Sequence, residues 1–179
     1  NHLLRQIRDR RAKPDQLEFW DEEMTKAGAH IAVKRRRAVE ELNELAADYH
    51  LRLTGTAERL RVLYRPGLVW KQDLGSVTEV MSNPTAAVAR SLRDQLRRLQ
   101  AREVAQGVSL LGPHRDDLSF LTDETNVTLY GSRGQQRTVS LSLKLAESSY
   151  LRRHSGEKPV MLLDDVLSEL DEARRSFVV

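Results

Sequence analysis

No cysteine occurs in the chain, so it has neither a disulfide framework nor a thiolate metal site. Its five histidines are scattered, which leaves zinc without a ligand cluster. Aromatic residues make up only 5% of the sequence. No apolar run approaches the ~20 residues a membrane-spanning helix needs, and no signal-peptide pattern opens the chain, so no membrane insertion is expected. Also missing is any Gly-x-x-x-x-Gly-Lys-Ser/Thr phosphate loop between Asn1 and Val179. No internal repeat is evident.

What is present suits one domain and part of another: 179 residues, 40% hydrophobic and 31% charged. The formal net charge is +3 and the pI about 9.4. That charge is uneven, because residues 1–111 carry 20 Lys/Arg against 15 Asp/Glu, whereas residues 112–179 carry 9 against 11. The first part is the better candidate for DNA phosphate contacts. Its basic clusters are Arg5 to Lys13, then Lys34, Arg35, Arg36 and Arg37, then Arg90 to Arg102, and Arg93 and Arg97 of the last are added to the second cluster as candidate DNA contacts. A solvated helix face is the competing account of all of them.

The basic clusters lie on segments of helical periodicity. Apolar residues recur at Leu17, Trp20, Met24, Ala27 and Ile31, and again at Ala38, Leu42, Leu45 and Tyr49, with Lys34 interrupting the seam. A second seam at Ala89, Leu92, Leu96 and Leu99 follows Asn83-Pro84, a cap and first-turn pair. Two antiparallel helical arms are expected, either a short coiled coil or a helical subdomain with its own core. Between them Arg59–Tyr64 alternates like a strand and Pro66-Gly67 turns, with a weaker strand around Leu68–Trp70. Beyond the second arm, Val108–Leu111, Asp117–Leu121 and Asn126–Tyr130 predict three short strands, the first two joined by Gly112–Asp116. That turn is expected to hold a local ion pair of Arg115 with Asp116 or Asp117.

Chemistry concentrates near the end. Val160-Met161-Leu162-Leu163 runs straight into Asp164-Asp165, the pattern of a buried parallel strand ending in acid. This is the Walker B arrangement of P-loop ATPases, in which Asp164 would hold Mg²⁺ and Asp165 would orient or activate water; a buried strand entering an acid-capped helix is the competing account. Upstream, Gly131-Ser132-Arg133-Gly134-Gln135-Gln136-Arg137 leads into Val139, Leu143, Ala146 and Tyr150, a glycine loop opening an amphipathic helix whose start favours phosphate. The helix is predicted to stop at His154–Pro159.

The order of loop, helix, turn and acidic strand resembles the ATP-binding-cassette ATPases, with Ser132–Gln135 at their signature loop and Ser168–Asp171 at their D-loop. Gly112-Pro113-His114-Arg115-Asp116-Asp117, the Gly-Ser-Arg-Gly-Gln-Gln-Arg signature, Leu17–Glu22 with Gly28-Ala29, and Leu63–Gly67 together resemble the RecF family of bacterial recombination proteins. The resemblance covers essentially the whole chain. It implies a cytoplasmic, ATP- and Mg²⁺-dependent DNA-binding protein that forms an ATP-dependent homodimer and directs recombinase loading at gapped DNA, with RecR and RecO as partners. It also implies that Ser132, Gly134 and Gln135 serve ATP held by the other subunit, and that Ser168 and Asp171 link the two sites.

The fold expected is α/β with a helical subdomain: the C-terminal lobe of a cassette-type ATPase head plus a short antiparallel helical arm. Residues 1–105 form the basic arm, with a sheet segment near 56–70, and residues 106–179 the incomplete head lobe. Because RecF-like proteins carry a phosphate loop near their N-terminus, an internal segment of a longer protein is expected. Such a segment alone is not expected to hydrolyse ATP, and the resemblance implies slow turnover by the whole protein. Two alternatives compete: a structural-maintenance or double-strand-break-repair head, disfavoured by the short interval from Gln16 to Arg102, and a non-catalytic basic helical module that binds nucleic acid or protein.

Overall fold

In the computed structural model the described residues are 1–67 and 83–162. The chain divides into two compact units, each made of two segments: Asn1–Arg36 with Arg65–Asp117, and Arg37–Tyr64 with Leu118–Val179. Among the described residues no helix is long and apolar enough to cross a membrane.

The first unit contains helix α1 (His2–Arg8), the leading half of α2 (Leu17–Thr54) and α3 (Pro84–Gln106). The Asn83-Pro84 signal is borne out. Asn83 accepts a hydrogen bond from Ala86 N at 3.0 Å, and Gly107 ends the helix in the left-handed region at φ 68°. Ala29, Ala32 and Val33 of α2 pack with Val88, Leu92 and Leu96 of α3 and with Leu111. Glu18 and Gln100 line one cleft while Gly28 meets Leu92, the order of antiparallel neighbours. A smaller cluster joins Leu4 and Ile7 of α1 to Leu17.

The seam of α2 is rotated from the one expected. Leu17 is buried, but Trp20 is 61% exposed, and Ala27 and Ile31 also face solvent. Thr25, Gly28, Ala29, Ala32 and Val33 are buried in their place. The cause is close approach: a Cβ on Gly28 would lie 3.0 Å from Leu92 Cδ2 and 3.3 Å from Pro113 Cδ. Only small residues fit there, and small residues weigh little in an apolar periodicity. Lys34 does not interrupt the helix, since the buried stripe passes beside it through Val33 and Val39.

Val108–Leu111 is not a strand. Its backbone is satisfied by side chains instead: buried Glu103 accepts from Leu110 N at 2.7 Å, and Asn1 Oδ1 accepts from Ser109 N at 2.7 Å. The Gly112–Asp116 link is a 3₁₀ turn over Pro113–Arg115. Arg115 donates to Ser109 O at 2.7 Å, while Asp116 takes Arg35 Nη1 at 2.6 Å and Gly67 N at 2.9 Å.

The second unit contains the rest of α2, strands β1 (Leu60–Arg65), β2 (Asp117–Thr122) and β3 (Thr125–Asn126), the single turn α4 (Val127–Tyr130) and α5 (Arg133–Ser155). The sheet order is β1-β2-β3, with β2 and β3 antiparallel and Leu121 opposite Asn126. Leu60 and Val62 of β1 enter a core with Val39, Ala46, Val127, Val139 and Ala146, and Arg61 between them is exposed. Leu53, Leu141 and Leu145 form a second cluster.

Two expectations change in this unit. The strand over Asn126–Tyr130 ends after one residue, because the Asn126 side chain accepts from Thr128 N at 3.0 Å and starts α4. The run from Val160 is not a buried strand in its described part: Val160 is 89% and Leu162 91% exposed, and Met161 packs beside Leu53, Leu141 and Leu145. A doubly covered strand needs sheet neighbours, and the described sheet does not extend to it. Leu68–Trp70, Asp164, Asp165, Ser168 and Asp171 lie outside the described residues.

The rotated face of α2 has a direct check. Gly28→Val should overpack against Leu92 and destabilise the protein by about 1–3 kcal/mol. Trp20→Ala, at an exposed site, should shift stability by roughly 0.5 kcal/mol or less. Urea titrations of the two variants would restore the original seam if their order were reversed.

Candidate functional site

The start of α5 is built by short-range bonds. Ser132 takes extended backbone angles and its Oγ accepts from Gln135 N at 3.2 Å, while Gln135 Oε1 accepts from Ser132 N at 2.9 Å. This capping box satisfies two of the backbone donors a helix start leaves open. No acidic residue occupies the first turn, so the positive end of the helix dipole is not offset there.

The two glycines of the loop differ in their reasons. A Cβ on Gly131 would lie 2.6 Å from Val127 Cγ1 and Val127 O, so the preceding turn demands glycine. Around Gly134 nothing lies closer than Ser132 Oγ at 3.9 Å. Glycine in a helix costs roughly 1 kcal/mol against alanine. No packing in the described structure requires that cost, and the open face suits a ligand or partner approaching the backbone. The loop residues present therefore fit an anionic phosphate group.

A polar network underlies this loop. Gln135 Nε2 donates to Glu58 Oε1 at 3.5 Å, and Glu58 Oε2 lies 3.9 Å from His50 Nε2. His50 is buried in α2, with its Nδ1 3.3 Å from Ser142 Oγ. Burial lowers the His50 pKa from its ordinary 6.5, partly offset by the negative charges of Glu58 and Asp123. Glu58 and His50 were not legible as site residues, because they reach α5 only through tertiary packing, 77 and 92 positions away.

The basic candidates fall into different surroundings. Lys34, Arg35, Arg36 and Arg37 are all exposed. Lys34, Arg35 and Arg36 belong to the first unit and Arg37 to the second. Arg35 is engaged by Asp116, whose side chain is only 6% exposed, and by Pro113 O. Arg93 and Arg97 line a cleft of about 560 Å³ with Asp15, Glu18, Asp21 and Glu22, so acidic groups already surround them. Another cavity of the first unit, about 660 Å³, brings Asp21 and Glu103 together, and burial followed by Glu103 raises the Asp21 pKa.

His50 makes stability depend on pH in a definite direction. The fold disfavours its proton while the unfolded chain binds it with a pKa near 6.5. The stabilising contribution is complete above that value and is lost as pH falls through it toward the lowered folded value. Urea midpoints measured from about pH 8 to about pH 5 should decline below pH 6.5, and His50→Gln should flatten this component. An unchanged decline in the variant would remove His50 as its source.

No family model matches the chain. It is 40% identical to the DNA replication and repair protein RecF of Chloroflexus aurantiacus over 183 residues, covering 100% of this chain and 44% of that protein. RecF of Roseiflexus castenholzii is 41% identical over 182 residues, covering 99% and 44%. A solved structure described as the recombination mediator protein RecF-ATP in the RecFOR pathway shares the fold with a TM-score of 0.80 at 30% identity, over 98% of this chain and 44% of that one. A RecF-ATPrS structure gives 0.81 at 30% identity, over 96% and 43%. Over its whole length this chain belongs to the RecF family, spanning about 44% of the length of these curated relatives.

Proposed function

We propose that the chain is the part of a DNA replication and repair protein that closes an ATP site formed between two subunits. The observation that carries the reading is Gly134: an open, helix-weakening residue in the first turn of a capped helix, flanked by Ser132 and Gln135. The family's solved RecF-ATP structure supports a nucleotide as the ligand. Gly134 would present its first-turn N–H and Ser132 its hydroxyl to a phosphate held by the partner subunit, while the Ser132 N–H stays in the capping box, and Gln135 would add its side-chain amide. Asp164 would hold Mg²⁺, Asp165 would orient water, and Ser168 and Asp171 would connect the two sites. Bound ATP with Mg²⁺ would supply the ligand that favours the homodimer.

The protein would act on gapped DNA or a single/double-strand junction, direct recombinase loading there, and work with RecR and RecO in the cytoplasm. ATP turnover would be slow. Lys34 and Arg37 are the better DNA candidates, because Arg35 is committed to Asp116 and Arg93 and Arg97 face carboxylates.

Two measurements on a full-length protein carrying this segment test the reading. Ser132→Arg should retain ATP binding but lose ATP-driven dimers in light scattering, whereas Ser132→Asn, which preserves the helix cap, should still dimerise. Dimers of Ser132→Arg equal to the parent's would sink the trans role. The paired reversal Lys34→Glu with Arg37→Glu should weaken DNA binding and reduce the salt slope by about 2; an unaltered slope would return these residues to a solvated face.

A further inference from the structure

Glu58 stands between the Ser132–Gln135 loop and a buried histidine, and the proton inventory of that histidine is fixed by its neighbours. Ser142 Oγ donates its single proton to Thr138 O at 2.7 Å, so toward His50 Nδ1 it can only accept. The hydrogen of the neutral ring is therefore on Nδ1. Nε2 is left as a lone pair, buried and without a hydrogen-bond partner, 3.9 Å from the Glu58 carboxylate. Two acceptors face each other across a gap that one proton would close.

We propose that Glu58 is a positioning residue for Gln135, and that a proton on His50 draws Glu58 away from the loop. The proposal rests on the reading that this loop meets a nucleotide phosphate. With His50 neutral, Glu58 holds Gln135 Nε2 and places negative charge beneath the loop, opposing an anion. A protonated Nε2 becomes a charge-assisted donor, and such bonds settle at about 2.7–2.9 Å. Closing the gap moves the carboxylate by roughly 1 Å, and the Gln135 contact, already 3.5 Å long, opens. Gln135 keeps its bond to Ser132 N through Oε1, so the cap survives while its amide N–H groups are released. Asp123, in the turn between β2 and β3 and held by Arg59 N at 3.1 Å, favours the same proton on His50. From α5 the ring meets the neutral Ser142. Burial opposes the proton, so release of Gln135 belongs to acidic conditions.

The first test follows the His50 ring and the Gln135 side-chain amide by NMR titration in a full-length protein carrying this segment, as parent and as Glu58→Gln. The Gln135 amide should shift with the His50 midpoint in the parent and lose that coupling in Glu58→Gln, whose His50 midpoint should fall. A Gln135 amide indifferent to His50 in the parent, or equally coupled in the variant, overturns the proposal. The second test measures the ATP concentration for half-maximal dimerisation between about pH 8 and about pH 5, the window that spans the lowered His50 midpoint. It should drop severalfold toward acid in the parent and be low at both ends in Glu58→Gln; identical pH dependence in the two proteins overturns the proposal. Intact coupling by NMR without ATP-driven dimers at any pH would support the Glu58 assignment while defeating the nucleotide reading of the loop.

Discussion

The 38 residues of α2 form one uninterrupted helix, and the cores of both units draw on different stretches of it. Its leading half contributes Ala29, Ala32 and Val33 to the first core, and its trailing half contributes Val39, Ala46 and Leu53 to the second unit. Within each stretch the backbone ladder sets which residues share a face, at 3.6 residues per turn. The buried side chains do most of the stabilising: a fully buried Leu or Val contributes about 1.5–3 kcal/mol. The exposed pairs Lys26–Glu22 and Arg52–Asp48 along the same helix are screened by solvent and add little. Packing, not surface charge, decides which face turns inward.

The candidate loop follows a different economy. Its shape comes from neighbours in sequence, through the Ser132–Gln135 capping box and the tight return of Gly131 onto Val127. Its electrostatics come from afar, because His50 arrives on α2 and Glu58 on the segment after it. A helix start favours anions, while a carboxylate beneath it disfavours them. The state of His50 weighs one against the other.

Several elements were legible because their signals are local. Asn83-Pro84 capped a helix, Leu60 and Val62 alternated with Arg61 into a strand, and Ser132 with Gln135 opened α5. The misses share a physical cause. Gly28, Ala29 and Ala32 form a contact face through their lack of bulk, so counting large apolar residues pointed to Trp20 and Ile31 instead. The turn at Asp123-Glu124 has both residues in the left-handed region without the usual Asn-Gly signal, and distant partners hold it: Arg59 N on Asp123 and Arg61 on Glu124 at 2.7 Å. Glu103 satisfied a backbone that read as a strand.

By itself the sequence determined the starts of α3 and α5, the end of α5, the capped glycine loop and the family, because caps, turns and motifs act over a few residues and survive in linear order. Only the tertiary structure decided which face of α2 is buried, which arginines are already occupied by carboxylates, and that Glu58 and His50 lie beneath Gln135. Those outcomes depend on the distance between helices and on the desolvation of particular groups. Neither quantity exists until the chain has closed on itself.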